Sequence, residues 1–389
     1  MHRSIMLVTA TLVVASIARA DAVFTPIGDL PGGTFDSAVY GIAADGTAAT
    51  GVAHDAGGSV AFVWTPERGL VRIGPTDAPT SAYGVGVTSR GTLVALSANT
   101  TGEYALNAWS PITGLTELGD VSDPGGINYV ASMADDGWTI VGDSLHSTTN
   151  TFESYRWTAA EGLVGLGTLP GGTIDESITG DCSSDGSIIV GASTSALGFE
   201  AYRWESTTGM VGLGDLPGGP VNAWATGVDA TGATIVGYGT TDAGHEAFRW
   251  TEATGMVSLG DLPGGAHGSW AVDVSADGSV IVGFANDTGE VGDADAFIWT
   301  ADAGMVDLRT LLVTQYGMGD ELSGWDLAVA TSVSADGSVI GGWGTNPAGD
   351  FEGWIIRLPD TACSADLNGD GAVNATDLAT LLAAWGTCP

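Results

Sequence analysis

Gly209-Met210-Val211-Gly212-Leu213-Gly214-Asp215-Leu216-Pro217-Gly218-Gly219 is the stretch whose reading decides the fold. Near-copies begin at Ile27 (IGDLPGG), Leu166 (LGTLPGG) and Leu259 (LGDLPGG), and a degraded copy, LGDVSDPGG, at Leu118. Proline presets φ at the second position of a type II turn, and glycine supplies the positive φ at the third. Each copy therefore reads as a short apolar strand that ends in a tight turn.

Two further units recur in step with it. One carries a tryptophan: Phe62-Val63-Trp64-Thr65, Ala108-Trp109-Ser110, Tyr155-Arg156-Trp157-Thr158, Tyr202-Arg203-Trp204, Phe248-Arg249-Trp250-Thr251, Phe297-Ile298-Trp299-Thr300 and Gly353-Trp354-Ile355. The steps between these tryptophans are 45, 48, 47, 46, 49 and 55 residues. Seven copies at roughly 40–50 residue spacing mark a repeat architecture. The other unit reads Val274-Ser275-Ala276-Asp277-Gly278-Ser279-Val280-Ile281-Val282-Gly283, with counterparts from Ile42, Val87, Met133, Cys182, Val228 and Val333. Asp-Gly between apolar runs is the strongest short-range hairpin signal.

Each period thus holds four short strands: one entering the Asp-Gly turn, one leaving it, the tryptophan strand, and the Gly-Met-Val piece. No stretch within the repeats carries a helical period over eleven or more residues. The expected fold is all-β, a seven-bladed β-propeller over residues 21–359. Fourth strands begin near Gly69, Gly114, Gly162, Gly209, Gly255 and Gly304, and the last tryptophan strand runs out at Leu358-Pro359 with none after it. Val23–Gly28 is a fourth strand without a blade, so its pairing with residues 354–358 is expected to close the ring and cover two bare strand edges.

Composition bounds the rest. Residues 1–20 read as a signal peptide: Arg3, an apolar stretch from Ile5 to Ile17, and Ala18-Arg19-Ala20 as the cleavage site. The mature chain is expected to be exported, to the cell surface, the extracellular space or the periplasm. No later apolar run reaches membrane-spanning length. The formal charge is −36 and lysine is absent from the chain, which sets it against nucleic acid as a partner. Such acidity suits solubility, or divalent cations as companions.

The repeated tryptophans are expected to fill the space between blades. Arg156, Arg203 and Arg249 face the opposite side from them, solvated or paired with acids. Cys182 stands where other copies place valine, and so reads as a buried small hydrophobe. Asp29, Asp120, Asp215 and Asp261 share one position, where they either cap the turn or ring a channel mouth. The units LGDLPGG, VSADGSVIVG and AFRWT resemble the HAF repeats of extracellular bacterial proteins, over roughly residues 22–359.

Residues 360–389 form a separate appendage. Asp366, Asn368, Asp370, Asn374 and Asp377 stand at positions 1, 3, 5, 9 and 12 of an EF-hand loop, with the Ala372 carbonyl at position 7 and Gly371 at the sharp turn. This oxygen set suits calcium, although position 12 is Asp where Glu is usual. A short helix, roughly residues 376–385, is expected to follow, with Leu378, Leu381, Leu382 and Trp385 as its apolar stripe. Cys363 and Cys388 bracket the segment, and export permits a disulfide between them. Loop, helix and closing Cys-Pro resemble a dockerin repeat. That resemblance implies calcium-dependent folding and docking to a cohesin-like or cell-surface protein, with Ala375 and Thr376 at the partner-recognising loop positions. Dockerins usually carry two such repeats, and this chain has one.

No nucleophile elbow, HExxH, P-loop or metal-spaced histidine cluster is present, and the mature chain's His54, His146, His245 and His267 lie on different repeats. The sequence therefore points to a non-enzymatic binding or display module, with a glycan or protein ligand on the face that carries the Pro-Gly-Gly turns and the loops between second and third strands. The alternative is a polysaccharide-active enzyme of the dockerin-bearing kind.

Overall fold

The computed structural model describes residues 22–73, 82–99, 104–119, 127–265, 267–286 and 294–359. The signal segment and the C-terminal appendage lie outside them. So do Asp366, Asn368, Asp370, Ala372, Asn374, Asp377, Ala375, Thr376, the Cys363–Cys388 pair and the helix expected over 376–385.

The turns form where the sequence places them. In the Asp-Gly hairpin at 275–280, Ser275 N donates to Val280 O (2.9 Å), and the Asp277 carboxylate accepts from Ser279 N (2.9 Å) and Ser275 Oγ (2.8 Å). Gly278 then turns the chain at φ 72°, a region that costs any other residue strain. Asp185 and Asp336 repeat the arrangement. The glycine after each proline of the PGG turns, Gly32, Gly171, Gly218 and Gly264, likewise has positive φ.

Among the described residues the strands assemble into five four-stranded antiparallel sheets, spanning 82–119, 127–165, 177–212, 223–260 and 269–307, and one eight-stranded sheet. In that larger sheet, strands at 326–357 and at 32–72 meet at a single parallel bridge, Asp36 to Phe351. Val23–Pro26 pairs antiparallel with Phe351–Arg357, Val23 opposite Arg357 and Pro26 opposite Trp354, as the missing fourth strand requires. Fourth strands start at Gly69, Gly114, Gly162, Gly209, Gly255 and Gly304.

Every first strand carries a β-bulge, seen as a register shift at Thr179/Asp181, Ala225/Gly227, Ala271/Asp273 and their counterparts. The bulge bends the strand towards its partner. It also explains the glycine that ends each Val-Ile-Val-Gly run. A Cβ on Gly191, Gly237 or Gly283 would collide with the carbonyl of Ile178, Trp224 or Trp270 across the ladder. The aromatic ring of the third strand closes the same space: Tyr202 lies 2.9 Å from the Gly191 Cβ position and Phe297 3.0 Å from that of Gly283.

The tryptophans do pack between sheets. Trp157 joins Ala95 and Leu106 of the preceding sheet, and its indole N–H donates to Leu118 O at 3.1 Å. Trp250 packs with Ile188 and Val190, Trp299 with Val236 and Ala247, Trp64 with Val339 and Ile355, and Trp354 with Val282 and Ile298. Each such burial contributes roughly 2–3 kcal/mol. Of the arginines beside them, Arg156 pairs with Glu161 at 2.9 Å and Arg203 with Glu205 at 3.3 Å, while Arg249 donates to Thr234 Oγ1 at 3.1 Å.

One element breaks the pattern. After Gly304–Asp307 the chain forms a helix, Leu308–Tyr316, capped by the Asp307 carboxylate on Thr310 N and ended by Gly317 at φ 72°. Leu308 and Leu312 bury against Leu322 and Trp325, where a PGG turn stands in other repeats. The helix is nine residues long, too short to register as a helical period, and it accounts for the long final tryptophan step. Among the described residues no helix is long and apolar enough to cross a membrane.

Candidate functional site

First strands of all the sheets line one cavity of about 450 Å³. At its rim the turns link in series: Ala230 N donates to Ala276 O (3.2 Å), Ala276 N to Ala335 O (3.0 Å), and Ala335 N to Ala44 O (2.9 Å). The last of these joins the final repeat to the first.

Inside, the residue just after each bulge is Gly41, Gly86, Ser132, Asp181, Gly227, Asp273 or Ser332. In three repeats the backbone N–H that follows the bulge is taken up by a side chain of the preceding repeat. Val228 N donates to Asp181 Oδ2 at 3.0 Å, Val333 N to Asp273 Oδ2 at 2.8 Å, and Ile42 N to Ser332 Oγ at 3.1 Å. The other carboxylate oxygens are also engaged: Ser132 Oγ donates to Asp181 Oδ1 at 2.6 Å and Val274 N to Asp273 Oδ1 at 2.7 Å. These acids fasten sheet to sheet.

Their setting makes them hard to ionise. Burial pushes Asp181 up to about 6. Burial, reinforced by repulsion from Asp181, pushes Asp273 up to about 7. Asp143, buried on the second strand of the 127–165 sheet with Thr179 N at 2.6 Å, is also raised by burial to about 7. Cys182, beside Asp181, is buried as expected, and burial drives its thiol well above the ordinary value. Neither Asp181 nor Asp273 belongs to a sequence motif. The signal is the column one residue before Cys182 and Val274, which alternates Gly, Ser and Asp while the residue after it stays apolar.

The aspartates of the Pro-Gly-Gly units that are described, Asp29, Asp215 and Asp261, cap turns. Asp29 accepts from Leu30 N (2.8 Å), Asp36 N (2.9 Å) and His54 N (3.2 Å). Asp215 and Asp261 make the same contacts to their own turns. Asp120 lies outside the described residues. The bond from His54 N to Asp29 also places a PGG turn and a loop between second and third strands on one face. Each histidine bonds to another residue type: His54 to Ser59, His146 to Glu153, His245 to Thr240 and His267 to Glu246. Among the described residues no three His, Cys, Asp or Glu side chains converge as metal ligands.

No protein-family model matches the sequence, and no curated protein matches it. Among solved structures, the fold is similar to an oligogalacturonate lyase in complex with manganese, at 11% identity and a TM-score of 0.53, over 88% of this chain and 98% of that one. A second oligogalacturonate lyase, from Vibrio parahaemolyticus, is similar at 11% identity and a TM-score of 0.52, over 88% of this chain and 100% of that one. TolB from Acinetobacter baumannii is similar at 13% identity and a TM-score of 0.45, over 69% of this chain, which spans 61% of TolB's length. The two lyase likenesses, at such low identity, are likenesses of fold alone: the chain is an all-β protein of several four-stranded sheets and one eight-stranded sheet, a β-propeller.

Proposed function

We propose that this is an exported, non-enzymatic, seven-bladed propeller that binds or displays a ligand, held in place by a calcium-folded C-terminal tag. Dividing the eight-stranded sheet at its single parallel bridge, and adding the five four-stranded sheets, supports the blade number. The resemblances to HAF repeats and to a dockerin repeat support an extracellular or cell-surface setting. They also support a cohesin-like or surface partner for residues 360–389, with calcium on Asp366, Asn368, Asp370, Ala372, Asn374 and Asp377.

The observation that carries the non-enzymatic reading is how Asp181 and Asp273 are held. A general acid must be free to meet the atom it protonates, and both carboxylates have each oxygen bound to a neighbour. The loop face, where variable loops stand on a rigid scaffold, is the natural ligand surface. Incubating the mature protein with a panel of glycans tests this. No reducing-end release is expected.

A second reading, a polysaccharide-active enzyme, draws on the same pair. Two carboxyls raised into the neutral range and facing one cavity are a recurrent feature of catalytic sites. Reducing-end release that Asp181→Asn or Asp273→Asn abolishes would establish that reading and overturn the first.

A further inference from the structure

We propose that a run of aromatic side chains on the loop face, crossing the 177–212, 223–260 and 269–307 sheets, is a stacking seat for an uncharged glycan chain; the inference rests on the binding reading above. The run comprises Phe199, Trp224, Tyr238, His245, Trp270 and Phe284, all half-buried.

The repeats supply an internal control. Trp224 lies opposite Tyr238 across the ladder, and Trp270 opposite Phe284. At the same register the other described sheets pair no two aromatics: Ala38 stands opposite Val52, Ile178 opposite Ala192, Tyr83 opposite Ser97, Tyr129 opposite Asp143 and Val329 opposite Trp343, and the same strands form. Sheet formation therefore needs no aromatic pair at this position. A large side chain kept half in water where alanine suffices gains little from burial.

The rings lie in offset stacks, and each stays partly exposed. Trp224 and Tyr238 are nearly parallel at 9° with centroids 6.2 Å apart. Rings in face-to-face contact sit about 3.5–4 Å apart, so these two are slid sideways and form a stepped plate. Phe199 extends it at 4.9 Å from Trp224, and Trp270 with Phe284 forms a second plate at 5.0 Å and 11°. Tyr238 and His245 join the plates, meeting Trp270 at 6.4 and 5.7 Å. Polar groups flank the rings: Asn222 holds the Trp224 indole N–H at 3.0 Å, and Thr240 lies 3.4 Å from His245 Nδ1. Apolar plates edged by a few hydrogen-bonding groups suit a pyranose, whose C–H face stacks while its hydroxyls bond sideways. The charge of −36 selects further, because it repels uronates, sulfates and phosphates.

Calorimetric titration of the full chain with cellohexaose, xylohexaose and mannohexaose, with hexagalacturonate as the anionic counterpart, tests this. At least one neutral hexaose should bind. Trp224→Ala and Trp270→Ala should each weaken it about tenfold or more, and Trp270→Phe should retain most of the affinity. Trp138→Ala, at an exposed tryptophan in an Asp-Gly turn on the other face, should change nothing. Thermal melts check that each variant is folded. If an alanine variant unfolds, Trp224→Leu and Trp270→Leu, which keep apolar bulk without a ring, are titrated in its place, and unchanged binding in both counts against the seat. The proposal is overturned if no neutral hexaose binds, if only hexagalacturonate binds, or if folded alanine variants bind like the parent chain. Reducing-end release during the titration would end the non-enzymatic reading and leave the seat standing. Binding indifferent to the tryptophans would end the seat and leave that reading standing.

Discussion

Asp181 and Asp273 make stability depend on pH in a direction opposite to that of ordinary paired carboxylates. Their folded values, about 6 and about 7, lie above the usual 3.8, so the folded state holds protons that the unfolded chain releases. The stability they contribute is complete below about pH 4 and is lost as pH rises through about 7. One unit of such mismatch is worth about 1.4 kcal/mol, and the two acids titrate as a pair. The thermal midpoint should therefore fall between pH 5 and pH 8, by about 5 °C. Asp273→Asn should flatten that fall by removing one charge and its repulsion of the other. A midpoint that is flat in the parent chain, or a slope unchanged in the variant, would contradict the assignment. The column holding both acids is visible in the aligned repeats. What the sequence does not display is the bulge, which turns that column onto the cavity and gives its oxygens a neighbouring N–H to hold. Gly237 belongs to the same scale: its Cβ would collide with the Trp224 carbonyl. Gly237→Ala should cost about 3 kcal/mol or more in urea unfolding.

At the scale of the element, the two-residue and four-residue turns were the most legible features. Asp-Gly, Pro-Gly and the glycines opening each fourth strand impose backbone angles that few other residues accept, so the strand limits follow from them. The helix Leu308–Tyr316 was not legible, because nine residues with a weak apolar stripe look like any irregular insertion until Leu322 and Trp325 fold back over it. The aromatic run was hidden for another reason. Its members lie on different repeats, and only the ladder pairings bring them together. The N-terminal strand offers a sharp test of how the elements cooperate. Val23–Pro26 completes the ladder beside Phe351–Arg357, Phe24 meets the Trp325 ring edge-on at 5.0 Å, and Ile27 is buried with Val39 and Ile355. Removing residues 21–28 should lower the thermal midpoint by about 10 °C or leave the chain unfolded, since losing one buried Ile alone costs about 3 kcal/mol. An unchanged midpoint would show that the ring does not need this strand.

Over the whole molecule, the sequence combines a charge of −36 with 44% hydrophobic residues and no lysine. Repulsion among so many carboxylates opposes the compact state, and few cations stand close enough to relieve it. Raising sodium chloride from 10 mM to 1 M shortens the screening length from about 30 Å to about 3 Å. The thermal midpoint should therefore rise with salt, by about 5 °C, and potassium chloride should act equally well because screening depends on ionic strength alone. Calcium separates general screening from a specific site. At fixed ionic strength, millimolar calcium should stabilise residues 360–389 in the full chain, seen as protection of that segment from proteolysis. Magnesium should protect it far less, because the loop's six or more oxygens suit the larger ion. A chain ending at Leu358 should melt at the same temperature with either ion. If calcium instead raises the midpoint of the shortened chain as much as that of the full one, the ion acts on the propeller's acidic surface, and the C-terminal loop is not its site.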